Sequence, residues 1–168
     1  MEVLNINYVP DPIYHSRMIK PEDANIKLES GKTLEEDKIE FPSIFDNSFS
    51  VEVTTEKEKF SFTVPVRYSW NNADIVGLLQ VIAACSRDDR RVILASGVHD
   101  YMLLARKELL EEFKKFKFDL TVDDYILLTS ETFGFIAHSQ GMDETKAKIM
   151  AKSIYLYQKL GRSSEWMI

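Results

Sequence analysis

At 168 residues, with 45% hydrophobic and 29% charged side chains, the chain has the length and composition of one globular domain with a sizeable core. A formal net charge of −6 argues against a nucleic-acid binder, which needs a basic face. The lone cysteine, Cys85, excludes an internal disulfide, no Cys/His cluster has zinc spacing, and no apolar run reaches membrane-spanning length.

The opening residues show no basic segment followed by an apolar one, so no signal peptide is expected and the protein is expected to fold in a cytoplasm. Glu2 to Val9 alternates, with Leu4, Ile6 and Tyr8 on one side, which predicts a short strand ended by Pro10 and Pro12. From Asp11 to Phe49 periodicity fades. This stretch reads as a wrapping arm with isolated anchors at Ile39, Phe41, Ile44 and Phe45. Phe49, Val51 and Val53, then Phe60, Phe62 and Val64, alternate with polar residues about the charged turn Glu56-Lys57-Glu58. That pattern predicts a hairpin with one aromatic face packed on helices.

Asn71 or Asn72 can cap a helix carrying Ile75, Leu78, Leu79 and Ile82 at helical spacing. Ser86 with Asp89 has capping-box spacing and opens a central helix, which either runs on through Lys107–Phe113 or breaks near Arg106. Thr121 and Asp124 repeat the spacing and predict a helix towards Ile136 that buries Val122, Ile126 and Phe133. After a connector at Ala137–Gly141, a last helix begins near Asp143, buries Ala147, Met150, Ala151 and Ile154, and ends at Gly161. The tail is expected to dock through Trp166. The expected fold class is α+β: a small antiparallel sheet followed by a four-helix core, with residues 1–48 as an extended N-terminal arm and 49–168 as the globular domain.

The chemistry-bearing feature is His99-Asp100, set inside the most apolar run of the chain, Arg91 to Arg106. A helix apolar nearly all round is buried, and buried polar groups need partners. Neighbours on a helix diverge by roughly 100°, so the two side chains are expected to point apart. Asp123 or Asp124 on the next helix could orient His99 as a general base. Tyr68 to Asp74 could offer oxygens to calcium. Against this stand plain roles: Asp124 as a capping residue, Asn71, Asn72 and Asp74 as a turn and cap, His138 as a solvated connector residue, Tyr155 and Tyr157 as packing. An unbroken helix from His99 to Lys117 would span ~27 Å at ~1.5 Å per residue. A His99–Asp124 contact therefore requires a break soon after Arg106, where no Pro or Gly enforces one.

Several short motifs recur here in a familiar order: Val64-Pro65, the segment Tyr68 to Ile75, His99-Asp100-Tyr101-Met102, Val122 to Leu127, and Tyr155 to Trp166. Together they resemble a small phage and bacterial family known as domain of unknown function thirteen-fifty-three, over roughly residues 49–168. The His-Asp helix followed by an Asp-bearing helix also looks like the arrangement of secreted and viral phospholipases A2. In that likeness His99 would be the base that activates water, Asp100 a calcium ligand and Asp124 the group orienting His99. The Gly-rich calcium loop of those enzymes is missing here.

Two functions are expected. The favoured one is a phage-type structural or assembly component, a virion protein or one acting in the host cytoplasm, whose N-terminal arm binds neighbouring protein subunits and which needs no cofactor. The alternative is a calcium-dependent hydrolase of lipid or cell-envelope esters. In the first, the His99-Asp100 couple is answered from within by groups on adjoining segments.

Overall fold

The computed structural model describes residues 1–71, 86, 89–116 and 118–161. The fold is α+β, with two small antiparallel sheets followed by helices. One sheet has the order β1-β4-β5, from β1 (Val3–Val9), β4 (Phe49–Thr55) and β5 (Lys59–Val64); the other has the order β2-β3-β6, from β2 (Tyr14–Ser16), β3 (Ser43–Phe45) and β6 (Ser69–Trp70). The described helices are α1 (Arg90–Leu104), α2 (Arg106–Lys115), α3 (Val122–Ser139) and α4 (Glu144–Gly161). The helix expected around Ile75 to Ile82 and the docking of Trp166 lie outside the described residues.

The hairpin forms in the expected register, Phe49 facing Val64 and Val53 facing Phe60. Thr55 closes the turn: its Oγ1 accepts from Lys57 N (3.3 Å) and Glu58 N (3.1 Å). Alternation buries Phe49, Val51 and Val53 and leaves Glu52 outside. The aromatic face meets the helices, with Phe60 against Phe113 at 4.6 Å between ring centroids and Phe62 against Tyr101 at 6.2 Å.

Strand β1 keeps the expected phase at Ile6 and Tyr8, both half-buried against the core, but not at Leu4. A bulge between Val3 and Asn5 changes the register on β4, so Val3 is buried while Leu4 is 51% exposed. An inserted residue turns a period-2 pattern over.

The N-terminal 48 residues are not an arm reaching away from the domain. β1 shares a sheet with β4, while β2 and β3 share one with β6, and Phe45 sits in the main core with Phe49, Tyr68 and Trp70. Of the four expected anchors, Ile44 and Phe45 are buried, Ile39 is half-buried, and Phe41 is exposed. The segment is held by charge as well. Asp23 is fully buried; it takes both Nη groups of Arg17, Nη2 of Arg67 (2.7 Å) and the backbone N–H of Lys20 (3.1 Å). The Arg17 hydrogen bond foremost, with that from Arg67, holds its carboxyl far below the usual range. Arg67 stands in the left-handed region at φ 68°, which turns its guanidinium back to Asp23 and the Glu22 carbonyl.

Helix α1 starts later than the Ser86 capping box implies. Asp89 is the N-cap itself, accepting from Arg91 N at 2.9 Å and gripping the Arg91 guanidinium. At α3 the expected box is present: Thr121 Oγ1 accepts from Asp124 N (3.1 Å), and Asp124 Oδ2 accepts from Thr121 N (3.2 Å). Ile126 and Phe133 are buried as expected, but Val122, in the first turn, is exposed. Asp143 Oδ1 accepts from Lys146 N at 3.1 Å and opens α4.

Candidate functional site

The central helix does break, at Ala105 (φ −88°, ψ 15°), between Leu104 and Arg106. The Tyr125 hydroxyl donates to the Met102 carbonyl at 2.6 Å, the carbonyl that an unbroken helix would offer to the Arg106 N–H. A side chain inserted into the ladder kinks a helix without Pro or Gly. Neighbouring bonds continue on both sides, Ala105 N to Tyr101 O and Leu109 N to Ala105 O, each at 2.9 Å.

The break does not bring His99 to Asp124. His99 is buried, its ring edge-on to Phe133 at 6.0 Å. Its Nδ1 meets Asp100 Oδ1 at 3.1 Å and its Nε2 meets Gln158 Nε2 at 3.0 Å. With the Gln158 amide nitrogen turned to the ring and its Oε1 left unpaired, Nε2 accepts and Nδ1 carries the proton directed to Asp100. The expectation that His99 and Asp100 point apart is thus corrected. The imidazole, held at its far side by Gln158, lies over the helix surface within reach of its neighbour.

Asp124 is spent on Thr121, taking Thr121 Oγ1 at 2.7 Å as well as Thr121 N. These hydrogen bonds lower its pKa. The orienting role given to Asp124 therefore falls to Asp100, and the partner on the other nitrogen is Gln158. Asp123 binds Tyr155 Oη at 3.0 Å and Lys159 Nζ at 3.1 Å, tying the start of α3 to the end of α4. Tyr155 is thereby more than packing. His138 Nδ1 meets the Met142 carbonyl at 2.8 Å across the α3–α4 connector.

The segment read as a calcium loop is largely committed elsewhere. Tyr68, Ser69 and Trp70 are buried, the latter two in β6, and Trp70 packs beneath Gly97, where an added Cβ would stand 2.7 Å from the indole. Residues 72–74 lie outside the described part. Among the described residues, no group of three or more His, Cys, Asp or Glu side chains is arranged to hold a metal, so Asp100 gains no partner ligands there. No described helix is long and apolar enough to cross a membrane.

Gln158 could not be picked out from sequence, since it lies 59 positions from His99 and carries no motif. A second feature is the outer surface of the N-terminal segment. The β2–β3 ladder continues through Arg17 N to Pro42 O (3.3 Å) and Ile19 N to Glu40 O (2.9 Å), which sets Met18 opposite Phe41. Both are exposed, at 63% and 57%, and Ile13 and Val66 are also exposed.

Comparison with known proteins adds no relative: no protein-family model matches the chain, and no match was found among curated proteins or solved structures.

Proposed function

We propose that this chain is a structural or assembly subunit that binds neighbouring protein subunits through its N-terminal residues, of the phage virion type that its motifs resemble. The observation that carries this reading is the Met18–Phe41 pair. Two large apolar side chains stand opposite each other in solvent, on a segment that the Arg17–Asp23–Arg67 clasp holds in place. A pre-ordered apolar surface loses little conformational freedom on docking. The binding element is then a folded face rather than a loose arm. The hydrolase alternative is disfavoured by the engagement of both His99 nitrogens within the protein and by the commitment of Asp124 to Thr121.

The test is the mass in solution of the wild-type protein and of Phe41→Asp and Met18→Asp, by light scattering over a wide concentration range. Assembly is expected for wild type and its loss in both variants, with their helical content unchanged. A wild-type protein that stays at one-chain mass throughout, or calcium-dependent ester hydrolysis lost on His99→Ala, would sink the reading.

A further inference from the structure

A groove of about 660 Å³ lies between β1 and the helix pair α3 and α4, with Leu4, Leu127, Phe135 and Ala151 on its apolar walls. Small residues open it: an added Cβ on Gly134 would stand 2.8 Å from Ala151 Cβ and 3.1 Å from the Ala147 carbonyl, so the helices meet nearly backbone to backbone. The β1 bulge turns Leu4 outward as the far wall. The rim is acidic. Glu2, Glu131 and Glu144 stand against Lys148 and Lys152, and Lys148 is already held by Glu144 at 2.8 Å. Such a groove suits an apolar group with a cation beside it.

The same chain carries that combination on its N-terminal face. Met18 and Phe41 stand opposite each other in solvent. Lys20 follows in extended backbone (φ −103°, ψ 160°), so by alternation it shares the side of Met18. It is exposed, and its ammonium has no ionic partner among the described residues. Glu40, opposite Ile19, is turned to the other side. Glu22 sits in the turn after Lys20 and acts on Arg17. The knob does not fill its own chain's groove. On α1, Gly97 meets Trp70 of the second sheet and His99 meets Gln158 of α4. Two positions apart on a helix are roughly 160° apart around its axis, so that sheet and α4 lie on opposite sides of α1.

We propose, resting on the assembly role given above, that the neighbouring subunit is a second copy of this chain. Its groove takes Met18 and Phe41 of the first copy, with Lys20 at the rim of Glu2 and Glu131. Pairing of like faces is disfavoured by charge. Knob on knob would bring two Lys20 ammonium groups together, and groove on groove two acidic rims. The contact is heterologous: each added copy offers its own knob to the next, and subunits build a ring or a filament.

The experiment mixes two variants, each blocked on one face. Phe41→Asp keeps the groove and Leu4→Asp keeps the knob; both side chains are exposed, so helical content should not change. Alone, each should stay at one-chain mass in light scattering. Mixed, they should form a complex of one copy of each and stop there. With the Phe41→Asp chain isotope-labelled, amide NMR shifts on mixing should fall on Leu127, Phe135 and Ala151. Lys20→Glu, which sets a carboxylate before the acidic rim, should weaken assembly roughly tenfold. Leu4→Asp assembling like wild type would overturn the groove contact and leave the N-terminal assembly role standing. A mixture that yields no complex, or Lys20→Glu assembling as tightly as wild type, would overturn it too. One-chain mass for the wild type would remove both.

Discussion

The Tyr125 hydroxyl donates to the Met102 carbonyl across the α1–α3 contact at 2.6 Å, and the central helix turns aside three residues later. One side chain on α3 therefore decides how far α1 runs and where α2 leads. Tyr125 is fully buried, so its hydroxyl needs this acceptor.

Tyr125→Phe should lower stability by about 1 kcal/mol, read as a shift of the urea midpoint with unchanged slope. Burial pushes the Tyr125 phenol well above its ordinary value. The unfolded chain ionises this group above about pH 10 while the native state does not, so stability falls as pH rises beyond that point. Tyr125→Phe should flatten that alkaline decline. A phenolate signal from all tyrosines before the helical signal is lost would contradict the burial of Tyr68, Tyr125 and the Tyr8 hydroxyl.

Gln158→Leu leaves the buried Nε2 of His99 without a partner and should cost about 1–3 kcal/mol in denaturant unfolding. In the wild type, imidazole nitrogen NMR should show His99 protonated on Nδ1, the nitrogen facing Asp100. A proton on Nε2 would mean that the Gln158 amide is turned the other way. His99→Ala should weaken folding by a similar route.

Asp23→Asn removes the charge that answers Arg17 and Arg67 at a site closed to solvent. Asp23 is buried but both arginines are partly exposed, so water answers them in part and the loss should be about 1–2 kcal/mol. The folded-state pKa of Asp23 is depressed, so its contribution is complete above the ordinary carboxylate value of about 4. It shrinks as pH falls below that, because the unfolded chain takes up the proton first. The variant should therefore lose less stability than wild type between about pH 4 and pH 2. Parallel acid curves would show that the clasp contributes nothing.

Gly134→Ala places a methyl where Ala151 already stands and should cost about 1–3 kcal/mol by overpacking. Ala151→Gly in the same chain should restore part of the loss, measured as a double-mutant cycle. No rescue would mean that the α3–α4 contact lies elsewhere.

The sequence by itself determined the elements whose signals are local. The hairpin from Phe49 to Val64 follows from alternation about a charged turn, the start of α3 from Thr121 and Asp124, and the start of α4 from Asp143. It also determined that His99 is enclosed, because the residues around it leave no polar face. Only the tertiary structure decided which groups answer His99, since Gln158 reaches it from the last helix and no spacing rule links them. The same holds for the break at Ala105, made by a hydroxyl from another helix, and for the Asp23 clasp, which draws Arg67 from beyond the hairpin. The outward turn of Leu4 comes from a bulge that only pairing with β4 creates. Propensity and pattern act within a few residues, whereas hydrogen bonds between distant segments are chosen by packing.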